Sequence, residues 1–376
     1  MGTTVSREQV LSYRVHAQQL DREAGTLASA SLDDVALLDM GAQDTGPDGA
    51  LWALAVRGVD TAALDPTALT TAWTLRGAPH VYRRADLPSV ASAVQPFSEA
   101  DAAKRIFDAS KPLKAAGITS LQALDTVARE MRAIVDEPMV KGDVSTALTA
   151  RLAEPYLRWC RPCQATHPYE MPFRFGALRG GLELQAGTSP PVLQRAEGLD
   201  TPPFEGSAPV DPRHDVVRAT LHLLGPATVK QVAGYLDATV ADVGRRWPHD
   251  TTEVEVDGEQ RWVLDDDVDA LLAACATTAR LLGPYDLFLQ GRDRDLLVPD
   301  AAHAKALRPV IGRPGAVLLG REVVGLWRPR KSGSRLTVNV ELWTRRTRAT
   351  DAAVESGAEA LAAFRGLRLA GVDHVG

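Results

Sequence analysis

The chain has 376 residues, 45% hydrophobic and 24% charged, the balance of an ordinary globular protein with room for two or three domains. Its formal net charge of −6 excludes a protein that coats nucleic acid through overall charge, yet permits a localised basic surface. No run approaches the roughly 20 apolar residues of a membrane-spanning helix, the N-terminus lacks a signal-peptide core, and three cysteines do not make a disulfide framework, so a cytoplasmic protein is expected.

Residues 6–26 read as a helix, with Val10, Leu11, Val15 and Leu20 spaced for one buried face. A second helix is expected after a Ser31 cap, through Val35, Leu37 and Leu38 to Met40. The stretch 39–57 joins two apolar helical runs through a turn rich in Gly, Pro and Asp, with Gln43 and Asp44 at the break. An amide and a carboxylate on a rigid turn can hold a water or polar ligand. The same run also reads as a helix stop and restart, with Asp44 or Thr45 capping the second helix. A short helix over 66–73 comes next, then Leu75-Arg-Gly-Ala-Pro-His-Val-Tyr82, where Gly and Pro stop the helix and a strand begins. Arg76 and His80 at that corner are candidates for phosphate contact, and His80 equally for a satisfied structural histidine.

A strongly amphipathic helix is expected over 119–136, a shorter one over 143–152, and a strand over 181–185, the layout of a second module like the first. Between them, Cys160-Arg-Pro-Cys163 with His167 has the residue types of a zinc site. A structural site needs four ligands, usually from two such pairs, so no metal is expected and the thiols are placed near an aromatic patch around Trp159 and Phe173. Residues 186–212, rich in proline, read as an extended surface linker.

The third module is the clearest. An apolar helix from 215 ends at Gly225-Pro226, Thr228-Val-Lys-Gln231 is a capping box, and Thr239 caps a further helix. Strands on either side of Asp257-Gly258 form a hairpin suited to a type I′ turn, completing a winged helix-turn-helix, and a helix is expected over 265–282. Arg245 and Arg246 occupy the recognition-helix position, while the wing carries Glu253, Glu255, Asp257 and Glu259, which repel phosphates; the module reads as a DNA reader or as a spacer. From 283 onward short strands dominate, with a covering helix over 351–367. Here Arg328, Arg330, Lys331, Arg335, Arg345, Arg346 and Arg348 crowd one segment with few acids, a phosphate-gripping surface or a solvated charged face. Walker, Gly-x-Ser-x-Gly, His-Glu-x-x-His and dinucleotide signatures are absent, and no cofactor is expected.

The expected architecture is α+β, mainly α: winged-helix modules at 1–96, 97–190 and 213–282, a linker at 191–212, and a small C-terminal β-sheet or barrel capped by a helix at 283–376. That order resembles the AlkZ/YcaQ-like family of winged-helix DNA glycosylases. The resemblance rests on Arg14-Val-His-Ala-Gln-Gln-Leu-Asp-Arg22, Gly41-Ala-Gln-Asp44, Arg76-Gly-Ala-Pro-His80, Leu281-Leu-Gly-Pro-Tyr-Asp286 and Val317-Leu-Leu-Gly-Arg-Glu-Val-Val-Gly-Leu-Trp327. It implies a monomer wrapping double-stranded DNA in a basic cleft and excising bulky or alkylated purines, with catalysis by a Gln-x-Gln or Gln-x-Asp pair. The second member of that pair falls on Gln43 and the first on Gly41, which has no side chain; a shifted register puts Asp44 second and Ala42 first. A DNA-binding protein of this architecture that does not excise, and one whose modules contact only protein, are the other readings.

Overall fold

The computed structural model describes residues 3–23, 32–46, 48–206, 208–273 and 276–375, so the expected Ser31 cap lies outside the described residues. The first helix, Arg7–Ala17, starts on a Ser6–Gln9 capping box and buries Val10, Leu11 and Val15. It stops well short of residue 26, because Gln19 adopts a left-handed φ of 60°. The second helical region is a single 3-10 turn, Leu32–Asp34, and one α turn, Leu37–Met40. The chain then forms a two-residue strand, Ala42–Gln43, which pairs with Pro79–Arg83 and sets Gln43 opposite His80.

The helix expected over 66–73 is instead a turn, Pro66–Ala68, feeding the strand Leu69–Trp73. Consecutive Thr70 and Thr71, stiff at χ1, fit a pleated backbone better than a helix. This strand lies in a six-stranded sheet ordered Ala42–Gln43, Pro79–Arg83, Leu69–Trp73, Leu182–Leu184, Val192–Arg195, Met139–Val140. Strands from both expected N-terminal modules therefore share one sheet, and Val192–Arg195, inside the expected linker, is one of its members. The amphipathic helix Ser120–Ile134, begun by a Thr119–Gln122 capping box, buries Val127 and Met131 in the same core as Phe173 of the helix Glu170–Arg179.

Helices Val216–Leu224, Val229–Leu236 and Val240–Arg245 precede the antiparallel strands Thr251–Val256 and Glu259–Leu264. Asp257 and Gly258 have φ of 50° and 80°, as a type I′ turn requires. The N-terminal strand Thr3–Val5 pairs in parallel with this hairpin. Of the helix expected over 265–282 the described residues hold Val268–Ala273, and Thr278–Leu282 is instead a strand that buries Leu281 and Leu282. It opens a five-stranded sheet that continues through Gly315–Gly320, Glu322–Ser332, Arg335–Leu342 and Arg368–His374, covered by the helix Arg348–Phe364. The core of that sheet includes Val10, Leu11 and Val15, so the first helix is built into the C-terminal part. The result is a mixed α/β protein. No described helix is long and apolar enough to cross a membrane.

Candidate functional site

Two buried ion networks fix the segment that comes after the strand Thr278–Leu282. Arg57 donates to the two carboxylate oxygens of Asp286 at 2.7 and 2.8 Å and to Gln18 Oε1 at 3.0 Å, and both members of the ion pair are fully buried. Seven residues on, Asp293 Oδ2 accepts from Arg14 at 2.6 Å and from Arg261 at 2.7 Å. Leaving either acid unpaired in such surroundings would cost several kcal/mol. The short 3-10 segment Leu287–Gln290 hangs between these two anchors, so its place against the first helix is tightly determined.

That placement brings Gln290 to Gln43. Gln290 Nε2 donates to Gln43 Oε1 at 3.0 Å, and Arg76 Nη2 donates to Gln43 Oε1 and to Gln290 Oε1 at 2.9 Å each. Gln43 Nε2 donates to Thr45 Oγ1 at 3.0 Å, which leaves its second amide hydrogen without a partner among the described residues. Arg76 itself is held by the Tyr235 carbonyl at 3.1 Å and by the Tyr235 ring, 4.5 Å from its guanidinium carbon. Its φ of 57° is a strained value for arginine, tolerated because these partners over-determine the side chain.

Gln43, Arg76 and Gln290 line a cleft of about 230 Å³ together with Tyr285, Arg292, Arg294, Arg308 and Arg313. Among the described residues no carboxylate lines it. Burial, followed by repulsion from Arg294, Arg313 and Arg292, pushes the Arg308 guanidinium down to about 10. Arg308 Nη1 and Arg313 Nε are buried donors without an acceptor among the described residues. Crowded cations with unspent N–H groups are the chemistry of an anion site, and phosphate oxygens match the guanidinium fork. Between Arg308 and Arg313, Val310 and Ile311 are 101% and 89% exposed, two apolar side chains flanked by cleft arginines.

The other sequence candidates fall elsewhere. Asp44 turns away from the cleft: Oδ1 accepts the Ala50 N–H at 3.0 Å at the start of the helix Gly49–Ala55, and the residue borders a separate groove with Asp48 and Glu183. His80 is 1% exposed, its Nδ1 within bonding distance of the Ala78 carbonyl and Thr74 Oγ1. Burial and then the neighbouring Arg76 push its imidazole down to about 3, so it stays neutral and out of reach of a phosphate. Arg245 pairs with Asp242, and Arg246 lies over the Phe97 ring at 4.6 Å. In the C-terminal sheet Arg328, Arg330, Lys331, Arg335, Arg345 and Arg346 are exposed, but none lines the cleft. Arg346 is bound to Asp351 by two 3.0 Å bonds, Arg330 to Asp373 at 3.4 Å, and only Arg328 approaches the cleft's rim, through the Gly312 carbonyl.

Gly41 explains why no glutamine stands at the first position of the expected pair. It has φ of 87°, and a Cβ there would lie 2.4 Å from the Tyr82 ring. The glutamine that meets Gln43 comes from far along the chain. Its signal in the sequence is the run Gln290-Gly-Arg-Asp-Arg294 with Arg308-Pro-Val-Ile-Gly-Arg313 after it, two basic segments outside any strand. The cysteines also depart from expectation. They lie on an exposed hairpin, Leu157–Cys160 with Ala165–Pro168, whose Trp159 is 62% exposed, and no aromatic patch of the described residues encloses them.

Residues 37–364 match the family model described as DNA glycosylase AlkZ-like. Among solved structures, the Streptomyces sahachiroi DNA glycosylase AlkZ aligns with a TM-score of 0.72 at 23% identity, over 99% of this chain and 100% of that one, a likeness of fold. Among curated proteins no relative matches the chain.

Proposed function

Because the chain belongs to the AlkZ-like DNA glycosylase family, we propose that it is a monofunctional glycosylase that binds double-stranded DNA as a monomer and releases alkylated or bulky purines. The observation that carries this reading is Gln43, held by Arg76 and Gln290 in a cleft walled by arginines. The arginines take the phosphates that flank the damaged nucleotide. Val310 and Ile311 fit the role of an apolar wedge that opens a base step, a common device among minor-groove binders. The segment 213–282 has the element order of a winged helix, and we assign it that role alongside the two N-terminal units; its acidic hairpin suits it to support the cleft more than to read DNA.

The chemistry asks little of a general acid. An N7-alkylpurine already carries positive charge, so the C1′–N9 bond breaks with its electron pair leaving on the base, which becomes neutral. Water then adds to the oxocarbenium-like C1′ and loses a proton to solvent. Gln43 is suited to hold that water through its free amide hydrogen. With Asp44 spent on the helix Gly49–Ala55, negative potential beside the sugar comes from the bound phosphates themselves. Gln290 supplies in space the second amide that Gly41 lacks.

The test is a duplex carrying a single N7-methylguanine, with release of free base monitored by chromatography. Release by the wild type and its loss in Gln43→Ala support the assignment. A wild type that binds the duplex and releases no base overturns it and leaves the reading of a DNA-binding protein without excision.

A further inference from the structure

The hairpin Leu157–Pro168 has no part in the reaction above, yet it gathers two thiols and an imidazole, all metal-ligating side chains. Its register pairs Arg158 with His167 and Cys160 with Ala165, so Cys160 and His167 are diagonal neighbours on one face, while Trp159 and Thr166 take the other. The turn between the strands brings Cys163 back over the same face. It is closed by a left-handed Gln164, φ 50°, and by the Gln164 side chain, which donates to the Arg161 carbonyl at 2.6 Å.

Ligand atoms of Cys160, Cys163 and His167 lie within 4.8 Å of one another. Two sulfurs about 2.3 Å from a tetrahedral zinc are about 3.8 Å apart, so modest side-chain rotation closes the set. His167 is prepared in a second way. Its Nδ1 is 2.8 Å from the Pro168 carbonyl, a bond that places the proton on Nδ1 and leaves the Nε2 lone pair for the metal. Both cysteines are free thiols.

We propose that Cys160, Cys163 and His167 form a Zn²⁺ site, with two thiolates, the imidazole Nε2 and a water in the fourth position. Two thiolates with an imidazole in four-coordinate geometry select zinc over harder divalent ions. Binding one Zn²⁺ converts two thiols to thiolates and releases their two protons to solvent, and the neutral site then staples the turn that carries Trp159. His167 is visible beside the two cysteines in the sequence; the register adds that it shares a face with Cys160, and water takes the fourth position that no protein ligand fills.

The full chain, stripped with a chelator under reducing conditions, is titrated with Zn²⁺ against a chromophoric chelator and, separately, with Co²⁺. The expected result is a single equivalent per chain, with thiolate-to-cobalt charge-transfer absorption and strong tetrahedral visible bands. Cys160→Ser and Cys163→Ser each remove those bands, and His167→Gln weakens binding by roughly tenfold or more. Amide exchange in the hairpin slows on zinc addition in the wild type alone, a readout independent of base release. Uptake no greater than in the Cys160→Ser/Cys163→Ser double variant, or a cobalt spectrum without charge transfer, overturns the proposal.

Discussion

Gln290 donates from Nε2 to Gln43 Oε1 at 3.0 Å, across a sequence separation of 247 residues. Its other amide hydrogen goes to the Tyr285 carbonyl at 2.7 Å, so its orientation is fixed from its own segment and does not depend on Gln43. Gln43 in turn accepts from two donors and gives one hydrogen to Thr45, which locks the amide in one rotamer with one hydrogen to spare. Such preorganisation is what a water-holding group needs, because no reorganisation is then required at the moment of bond cleavage.

If the cleft arginines take phosphates, salt will report it. Each phosphate contact contributes roughly one unit to the slope of log affinity against log salt. Arg308→Ala and Arg313→Ala, each removing a buried N–H that lacks an acceptor among the described residues, are expected to lower the slope by about one unit apiece. Arg346→Ala, whose guanidinium is already engaged by Asp351, is expected to leave it unchanged. Equal losses at all three positions would show that diffuse charge, and not this cleft, binds DNA.

The exposed pair Val310 and Ile311 gives a separate prediction. Replacing both with serine removes the apolar wedge without touching a cation. Base release from duplex DNA is expected to fall by roughly tenfold or more, as an unstacking penalty of a few kcal/mol loses its compensation. Release from a single-stranded substrate is expected to be spared. An equal fall on both substrates would rule out the wedge.

His80 ties stability to acid. In the folded protein its imidazole titrates near 3, whereas an unfolded histidine titrates near about 6.5. Between those values the unfolded chain binds the extra proton, so stability falls as pH drops through the window, by up to about 1.4 kcal/mol per pH unit. Above it both forms are neutral and the dependence vanishes. Urea midpoints of wild type and His80→Gln between pH 7 and 5 are expected to converge as pH falls, and parallel curves would contradict the assignment.

Arg57 and Asp286 form a fully buried ion pair that holds one end of the Gln290 segment. Arg57→Ala leaves Asp286 buried without its cation and is expected to cost about 3–5 kcal/mol in urea unfolding. A loss below about 1 kcal/mol would mean that the segment is anchored mainly by Asp293 with Arg14 and Arg261.

The parts of the fold legible in the sequence are those set by local signals. The amphipathic spacing over 119–136, the capping box at Thr228 and the Asp257-Gly258 turn act through neighbouring residues, and the elements they form, begin or close stand where expected. Thr278–Leu282 reads as helix in the sequence because a short apolar run does not separate strand from helix, and its sheet partners decide it; at Leu69–Trp73 the β-branched pair Thr70-Thr71 is the local strand signal that the helical reading overlooks. The candidate site is half legible. Gln43 can be chosen from its turn, whereas the direction of Asp44 depends on the Ala50 N–H and the identity of the second amide on long-range ion pairs. Arginine density draws attention to 328–348, but Arg330 and Arg346 meet acids in space, while the sparser 292–313 arginines converge on a cleft that no described carboxylate lines.

In the proposed reaction Gln43, oriented by Gln290, acts on the breaking glycosidic bond and is not merely a strut of the cleft. Single-turnover base release and duplex affinity, measured together for wild type, Gln43→Ala, Gln290→Ala and Asp44→Asn, test it most directly. Release is expected to fall roughly 100-fold or more in Gln43→Ala and less in Gln290→Ala, with duplex affinity within about twofold and Asp44→Asn close to wild type. A Gln43→Ala variant that releases base at the wild-type rate, or an Asp44→Asn variant that alone abolishes release, would contradict it.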